Sequence, residues 1–184
     1  MEQLIDFLNK NSIKYSENEP MSSHTTFKIG GNARIMVFPV SEEQAQAVIG
    51  FCAENGIRFL TVGNGSNLLV SDNGINACVI CFSGDYSEVR LEGEDVIFAQ
   101  SGAPLMKLCR FALQNSLSGL EFAYGIPGSC GGAAFMNAGA YGGEMKDVLF
   151  RCEHIDKTET KVFLREMLLS FRTGIRLIMK TAAQ

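Results

Sequence analysis

Apolar residues recur along this chain at two different spacings, and the switches between them lay out its elements. Leu4, Ile5 and Leu8 at helical spacing predict a first helix over about Glu2 to Asn11, followed by a polar connector through Met21. Residues 33 to 38 read as a strand. Ser41 then opens a helix, with Gln44 three residues on as a capping box, Ala45, Val48, Ile49 and Cys52 along one face, and Asn55-Gly56 as the stop. Ile57 to Val62 reads as the next strand, so the order strand, helix, strand predicts a βαβ unit. The chain continues through Gly63-Asn64-Gly65-Ser66-Asn67 into a short apolar run, Leu68-Leu69-Val70, that reads as a strand and not a helix. Ala77 to Phe82 is apolar at every position and predicts a fully buried strand.

From Tyr86 the elements shorten. Ser87 to Leu91 and Val96 to Gln100 predict an antiparallel pair around Glu92-Gly93-Glu94, and a second lobe is expected to begin near here. Pro104 suits a first helical turn, and Leu105, Leu108, Cys109, Ala112 and Leu113 make one apolar face that Ser118-Gly119 ends. Strands follow at about Val148 to Ile155 and Thr160 to Leu164. The expected organisation is a first lobe over 1–84, a second over 85–172 and a tail over 173–184.

One stretch has neither period. Between Glu121 and Glu144 no residue is charged, and Gly125 to Gly143, GIPGSCGGAAFMNAGAYGG, holds seven glycines. Glycine loses more conformational freedom on folding than any other residue, so the cluster needs either unusual backbone angles or another molecule close to the backbone. An uncharged, glycine-dense wall suits a large planar ligand.

Charge and cysteine usage narrow the class. A formal net charge of −4 argues against nucleic acid or an anionic membrane as the main partner, since both demand a basic face. No apolar run is long enough to span a bilayer, and MEQLIDFLNKN mixes charges with apolar residues as an amphipathic helix does and a signal peptide does not. A cytoplasmic protein is expected. Cys78 and Cys81 form a CxxC, but within a strand residues three apart point to opposite faces and cannot share one ion. The six cysteines are therefore read as reduced core residues, and His24 and His154 are too few and too separated for a metal site.

The loop Gly63–Asn67 lacks the third glycine of a dinucleotide fingerprint and the Gly-Lys-Ser/Thr of a P-loop. It reads instead as a turn whose N–H groups converge on an anion, helped by the Ser66 hydroxyl and the Asn64 and Asn67 amides. Taken alone, such a loop is as well explained by a tight turn. Three segments in this order change that: Ser23-His24-Thr25-Thr26-Phe27-Lys28-Ile29-Gly30-Gly31, Gly63 through Val70, and Gly125-Ile126-Pro127-Gly128 through Met136-Asn137-Ala138-Gly139-Ala140-Tyr141-Gly142. Over about residues 20 to 172 the chain resembles the flavin-binding part of the UDP-N-acetylenolpyruvoylglucosamine reductase (UDP-N-acetylmuramate dehydrogenase) family of bacterial peptidoglycan precursor synthesis.

The resemblance implies an α+β, two-lobed FAD-binding fold of the vanillyl-alcohol-oxidase (PCMH) type, with non-covalent FAD between the lobes and NADPH as co-substrate. Gly63, Asn64, Gly65, Ser66 and Asn67 would cradle the pyrophosphate. Gly125, Ile126, Pro127, Gly128, Ser129, Gly131, Gly132 and Ala133 would line the isoalloxazine ring. Asn137 would reach the flavin or pyrophosphate, or else brace its own turn, and Tyr141 would face a ligand or pack on its own loop. The substrate implied is a small nucleotide sugar, UDP-N-acetylglucosamine enolpyruvate. Hydride addition builds charge into its enolpyruvyl carboxylate, which a cation beside it stabilises. Phe171-Arg172 stands where the family carries a Tyr-Arg motif, so Arg172 is the catalytic candidate.

The family continues past that arginine into a C-terminal substrate-binding domain that supplies a proton-donating serine and a glutamate. Thr173 to Gln184 does not align with that continuation, and nothing supports Ser170 as the donor. A flavin-binding portion with little or no turnover alone is expected, with self-association through the surface that such a domain would cover. Two other readings stay open: a folded remnant without catalysis, and a different flavoenzyme of the same superfamily with covalent flavin, for which Cys130 lies in the right segment.

Overall fold

A computed structural model describes residues 1–155, 161–164, 174–180 and 182–183, with side chains described through residue 155. The described residues fall into two compact units, Met1–Phe82 and those from Ser83 onward. No helix among them is long and apolar enough to cross a membrane.

The first unit opens with α1 (Glu2–Lys10), which buries Leu4 and Leu8. The polar segment after it is not a plain connector: Tyr15–Pro20 forms β1, paired antiparallel to β2 (Asn32–Val37) along one edge of the sheet. Helix α2 (Glu42–Glu54) starts and stops where its sequence says. The Ser41 hydroxyl accepts from the Gln44 N–H at 3.3 Å, and the Gln44 side chain in turn accepts from the N–H of Val40, one residue before the cap. Gly56, at φ +62°, takes the left-handed turn that ends it. Ala45, Val48, Ile49 and Cys52 are buried, and Phe51 stacks on Phe7 of α1 with ring centroids 4.2 Å apart. Burying one branched side chain of this kind contributes about 1.5–3 kcal/mol.

Strands β3 (Phe59–Val62) and β4 (Ile75–Cys81) complete the sheet in the order β1-β2-β4-β3, with β2, β4 and β3 parallel. The βαβ unit is therefore present with β4 inserted between its two strands. Residues 77 to 82 are buried on both faces, as a strand covered on two sides requires. The strand expected at Leu68-Leu69-Val70 does not form: these residues pair with no described strand, and only Val70 is buried.

The second unit begins with the hairpin β5 (Val89–Leu91) and β6 (Val96–Gln100), where the Arg90 guanidinium lies 4.0 Å from the centroid of the Phe98 ring. Helix α3 (Leu105–Gln114) ends four residues earlier than Ser118, with Asn115 as its C-cap. Leu113, expected on its buried face, is 71% exposed because it lies at the rim of the apolar stripe in the last turn. A two-residue strand β7 (Leu117–Ser118) follows. Then come α4 (Cys130–Met136), the hairpin β8 (Gly139–Ala140) and β9 (Gly143–Glu144), the single turn α5 (Met145–Val148), β10 (Leu149–Ile155) and β11 (Lys161–Leu164).

Gly174–Lys180, to which no element was assigned from sequence, forms β12 in the interior of this unit's main sheet, and Ala182–Ala183 pairs with β7 as β13. The sheet order is β11-β10-β12-β6-β5, with β12 antiparallel to both neighbours. Leu105, Leu108, Ala112, Phe122, Cys130, Ala134, Met145 and Cys152 share one apolar core beneath the glycine-rich segment.

Candidate functional site

In the first unit the loop after β3 packs directly onto the segment Ser23–Gly31. Gly65 sits at φ +60°, and a Cβ there would lie 1.9 Å from the His24 carbonyl oxygen. The Gly65 carbonyl accepts from the Thr26 N–H at 3.2 Å. Gly30, at φ +118°, lies so close to Val70 that a Cβ would approach its Cβ at 2.6 Å, and Gly31 donates its N–H to the Ser71 carbonyl at 2.9 Å. Three chain segments thus meet at separations that only glycine allows.

The consequence is an array of donors. The main-chain N–H groups of Gly63, Asn64, Gly65 and Asn67 make no hydrogen bond to any other described residue. Their loop is half-exposed, with Asn64 and Asn67 on the surface. Consecutive free N–H groups around a left-handed glycine form a concavity that binds anions, and two phosphates would satisfy donors the protein leaves unpaired.

The glycine-rich segment of the second unit divides into two parts. Its first half is threaded against the turn before α3: Leu105 donates to the Gly128 carbonyl at 3.0 Å, Cys130 to the Ala103 carbonyl at 2.8 Å and Gly131 to the Ser101 carbonyl at 2.7 Å. Ser129 caps α4, accepting from the Gly132 N–H at 3.3 Å. A Cβ on Gly131 would lie 2.5 Å from the Ser101 Cβ, whereas one on Gly125 would meet nothing within 4 Å. Packing therefore explains Gly131 and does not explain Gly125. The N–H groups of Gly125, Gly128 and Ser129 also lack an acceptor among the described residues. Open space over an uncharged backbone with spare donors fits a flat ring with a carbonyl edge.

The second half is a braced hairpin. Asn137 takes a left-handed conformation, donates from Nδ2 to Glu144 at 2.6 Å and accepts the Lys146 N–H at 3.0 Å. Of the two roles open to Asn137, bracing its own turn is the one the geometry displays. The Lys146 amine, 2.6 Å from Glu144, holds that carboxyl below the usual carboxylate range, and the Asn137 amide adds to the effect. Tyr141, at φ +53° on the hairpin tip, is 97% exposed, so it does not pack on its own loop.

All six cysteines are buried free thiols, and no cluster of His, Cys, Asp or Glu able to hold a metal occurs among the described residues. Burial pushes the Cys130 thiol up, out of the range in which it would be a nucleophile at neutral pH. Covalent flavin through Cys130 is accordingly disfavoured. We expect the C130A variant to bind FAD within about twofold of the unchanged chain, and acid precipitation to leave no flavin on the protein; a dependence of binding on the thiol would contradict this. Ser101 and the Asp72–Gly74 turn, which position Gly131 and Gly31, carry no sequence signal of their own. Ser170, Phe171 and Arg172 lie outside the described residues.

Spare main-chain donors around Gly65 and an uncharged, glycine-dense wall at Gly125–Ser129 are, each by itself, of a kind that suits a flavin nucleotide. Residues 33–163 match the FAD binding domain family model, and the chain belongs to that family. It is 48% identical over 162 residues to the UDP-N-acetylenolpyruvoylglucosamine reductase of Clostridium botulinum (strain Hall), covering 88% of this chain and 51% of that protein. The reductase of Syntrophomonas wolfei is 45% identical over 175 residues, covering 94% of this chain and 58% of the relative. The chain thus spans about half the length of the relatives it matches.

Among solved structures, the reductase from Thermus caldophilus superposes with a TM-score of 0.75 at 28% identity, covering 94% of this chain and 63% of that one. An alkyldihydroxyacetonephosphate synthase superposes with a TM-score of 0.77 over the whole of this chain and 40% of that one. At 15% identity the second likeness speaks for the fold alone. The expected fold class and the resemblance to the reductase family both hold.

Proposed function

We propose that this chain is the flavin-binding portion of an NADPH-dependent cytoplasmic reductase that converts UDP-N-acetylglucosamine enolpyruvate to UDP-N-acetylmuramate in peptidoglycan synthesis. The observation that carries the reading is the set of unpaired N–H groups of Gly63, Asn64, Gly65 and Asn67 around a glycine held in the left-handed conformation. The names of its relatives support the reaction. Gly63, Asn64, Gly65, Ser66 and Asn67 hold the pyrophosphate of non-covalent FAD. Gly125 to Ser129 supply the wall for its ring, and Gly131, Gly132 and Ala133 carry that wall on the first turns of α4. Asn137 acts one step removed, by fixing the hairpin that follows.

Bound flavin supplies hydride transfer; the chain's own groups bind, orient and balance charge. Arg172 is the candidate cation for the enolpyruvyl carboxylate, a role in which a positive charge stabilises the charge that develops on hydride addition. Purified chain titrated with FAD is expected to take up one equivalent and turn yellow. Colourless protein that takes up no added FAD would sink the reading. In the reductase containing these residues, Arg172→Ala is expected to lower kcat about thirtyfold with FAD uptake unchanged. An unaltered kcat would remove Arg172 from that role.

A further inference from the structure

Glu19, near the end of β1, and His24, just past the turn Met21–Ser23, are joined by a 2.7 Å contact between Glu19 Oε1 and His24 Nε2. Ser16 Oγ donates to the other carboxylate oxygen at 2.6 Å. Each oxygen of Glu19 thus has a donor, and these bonds, His24 first and Ser16 second, hold its carboxyl below the usual range. The two side chains are 22% and 23% exposed, so water competes for the contact less than it does at an open surface. The His24 ring also lies 6.0 Å from that of Phe38.

The main chain of His24 has a second role. Its carbonyl oxygen fills the space that a Gly65 side chain would need, and two residues on the Thr26 N–H bonds the Gly65 carbonyl. Glycine has no intrinsic preference for the conformation Gly65 adopts, so a donor array centred on it is pre-formed only if something outside the loop holds it. The neighbouring segment does so, and that segment is itself tied at its side chain to β1.

We propose that the Glu19–His24 pair is a positioning device for the phosphate cradle: it fixes the main chain at His24–Thr26, and through it the left-handed Gly65 on which the donors of Gly63–Asn67 depend. The proposal rests on the flavin reading above and deepens it. Neither side chain touches the cofactor; both act through the main chain that Gly65 packs on. Unlike a pair that merely stabilises the fold, this one is expected to show in the cofactor affinity of the folded chain.

FAD affinity is measured by flavin fluorescence titration of the folded chain, with circular dichroism as the check on folding. His24→Ala and Glu19→Ala are each expected to weaken FAD about tenfold, and the double variant no further, because the two groups act as one unit. His24→Gln, which keeps an N–H donor for Glu19, is expected to stay within about threefold of the unchanged chain. Affinity within threefold for His24→Ala, additive losses in the double variant, or His24→Gln as weak as His24→Ala would each overturn the proposal. If His24→Ala does not fold, Glu19→Gln, which keeps shape and removes charge, is expected to weaken FAD about fivefold, and unchanged affinity there overturns it. An unchanged chain that takes up no FAD removes both this proposal and the flavin reading. Loss of FAD in Gly65→Asp with none in His24→Ala removes this proposal alone.

Discussion

Gly65→Asp is expected to abolish FAD binding, with affinity at least about a thousandfold lower. Two effects act together. The new carboxylate adds a negative charge to the loop that carries the donors and repels the cofactor's two phosphates in a partly shielded site. Its Cβ also collides with the His24 carbonyl oxygen, 1.9 Å from where it must sit, at a φ of +60° that costs a non-glycine residue about 1 kcal/mol. The loop must move, and the array moves with it. Asn64→Asp separates the two effects, since it adds charge at an exposed position without adding volume. That variant is expected to lose about thirtyfold at low salt and to recover part of the loss as ionic strength rises. FAD titration of both variants decides the assignment: unchanged affinity in the pair would place the pyrophosphate elsewhere.

Local signals made much of this fold legible in the sequence. Ser41, Gln44 and Gly56 mark α2 because caps and stops act within a few residues of where they are read. The apolar run 77–82 and the hairpin around Glu92-Gly93-Glu94 are legible for the same reason. What escaped is held by distant partners. Tyr15–Pro20 is polar and half-exposed, an edge strand recognisable only from its pairing with β2. Gly174–Lys180 becomes an interior strand through registers set with residues 96–100 and 149–154. The Cys130–Met136 helix contains two glycines that oppose helix formation, and it forms around the Ser129 cap and a face buried in the core. Leu68-Leu69-Val70 has the composition of a strand, but its buried member, Val70, packs against Gly30 instead of joining the sheet.

The candidate site was legible as segments and not as roles. Nothing in GIPGSCGG distinguishes a glycine that packing demands from one that a ligand demands, because both are unbranched backbone in sequence. The environment of the absent Cβ makes the distinction. Gly31, Gly65 and Gly131 face main chain or a neighbouring Cβ at under 3 Å, so the protein itself requires them. Gly125 faces nothing. Asn137 illustrates the same limit: its amide could serve a ligand, and only its bonds to Glu144 and Lys146 assign it to the hairpin.

That contrast yields the second large effect. Gly125→Leu is expected to weaken FAD more than about a hundredfold while leaving the folded chain as stable as before, within about 0.5 kcal/mol. No atom lies within 4 Å of the new Cβ and the backbone there is not left-handed, so the side chain enters open space without strain. The same space is where the flavin ring must lie if Gly125 is part of its wall, and a leucine would occupy it. Gly131→Ala should behave in the opposite way. Its single methyl group meets the Ser101 Cβ at 2.5 Å and the Ser101 carbonyl at 3.0 Å, in a turn pinned by the Gly131–Ser101 hydrogen bond. Overpacking of that kind costs about 1–3 kcal/mol, so thermal unfolding should occur several degrees lower. Melting curves and FAD titrations of the two variants together give the test. A stable Gly125→Leu that binds FAD normally would show that the ring does not lie over Gly125, and an unstable one would show that the space is needed by the protein and not by a ligand.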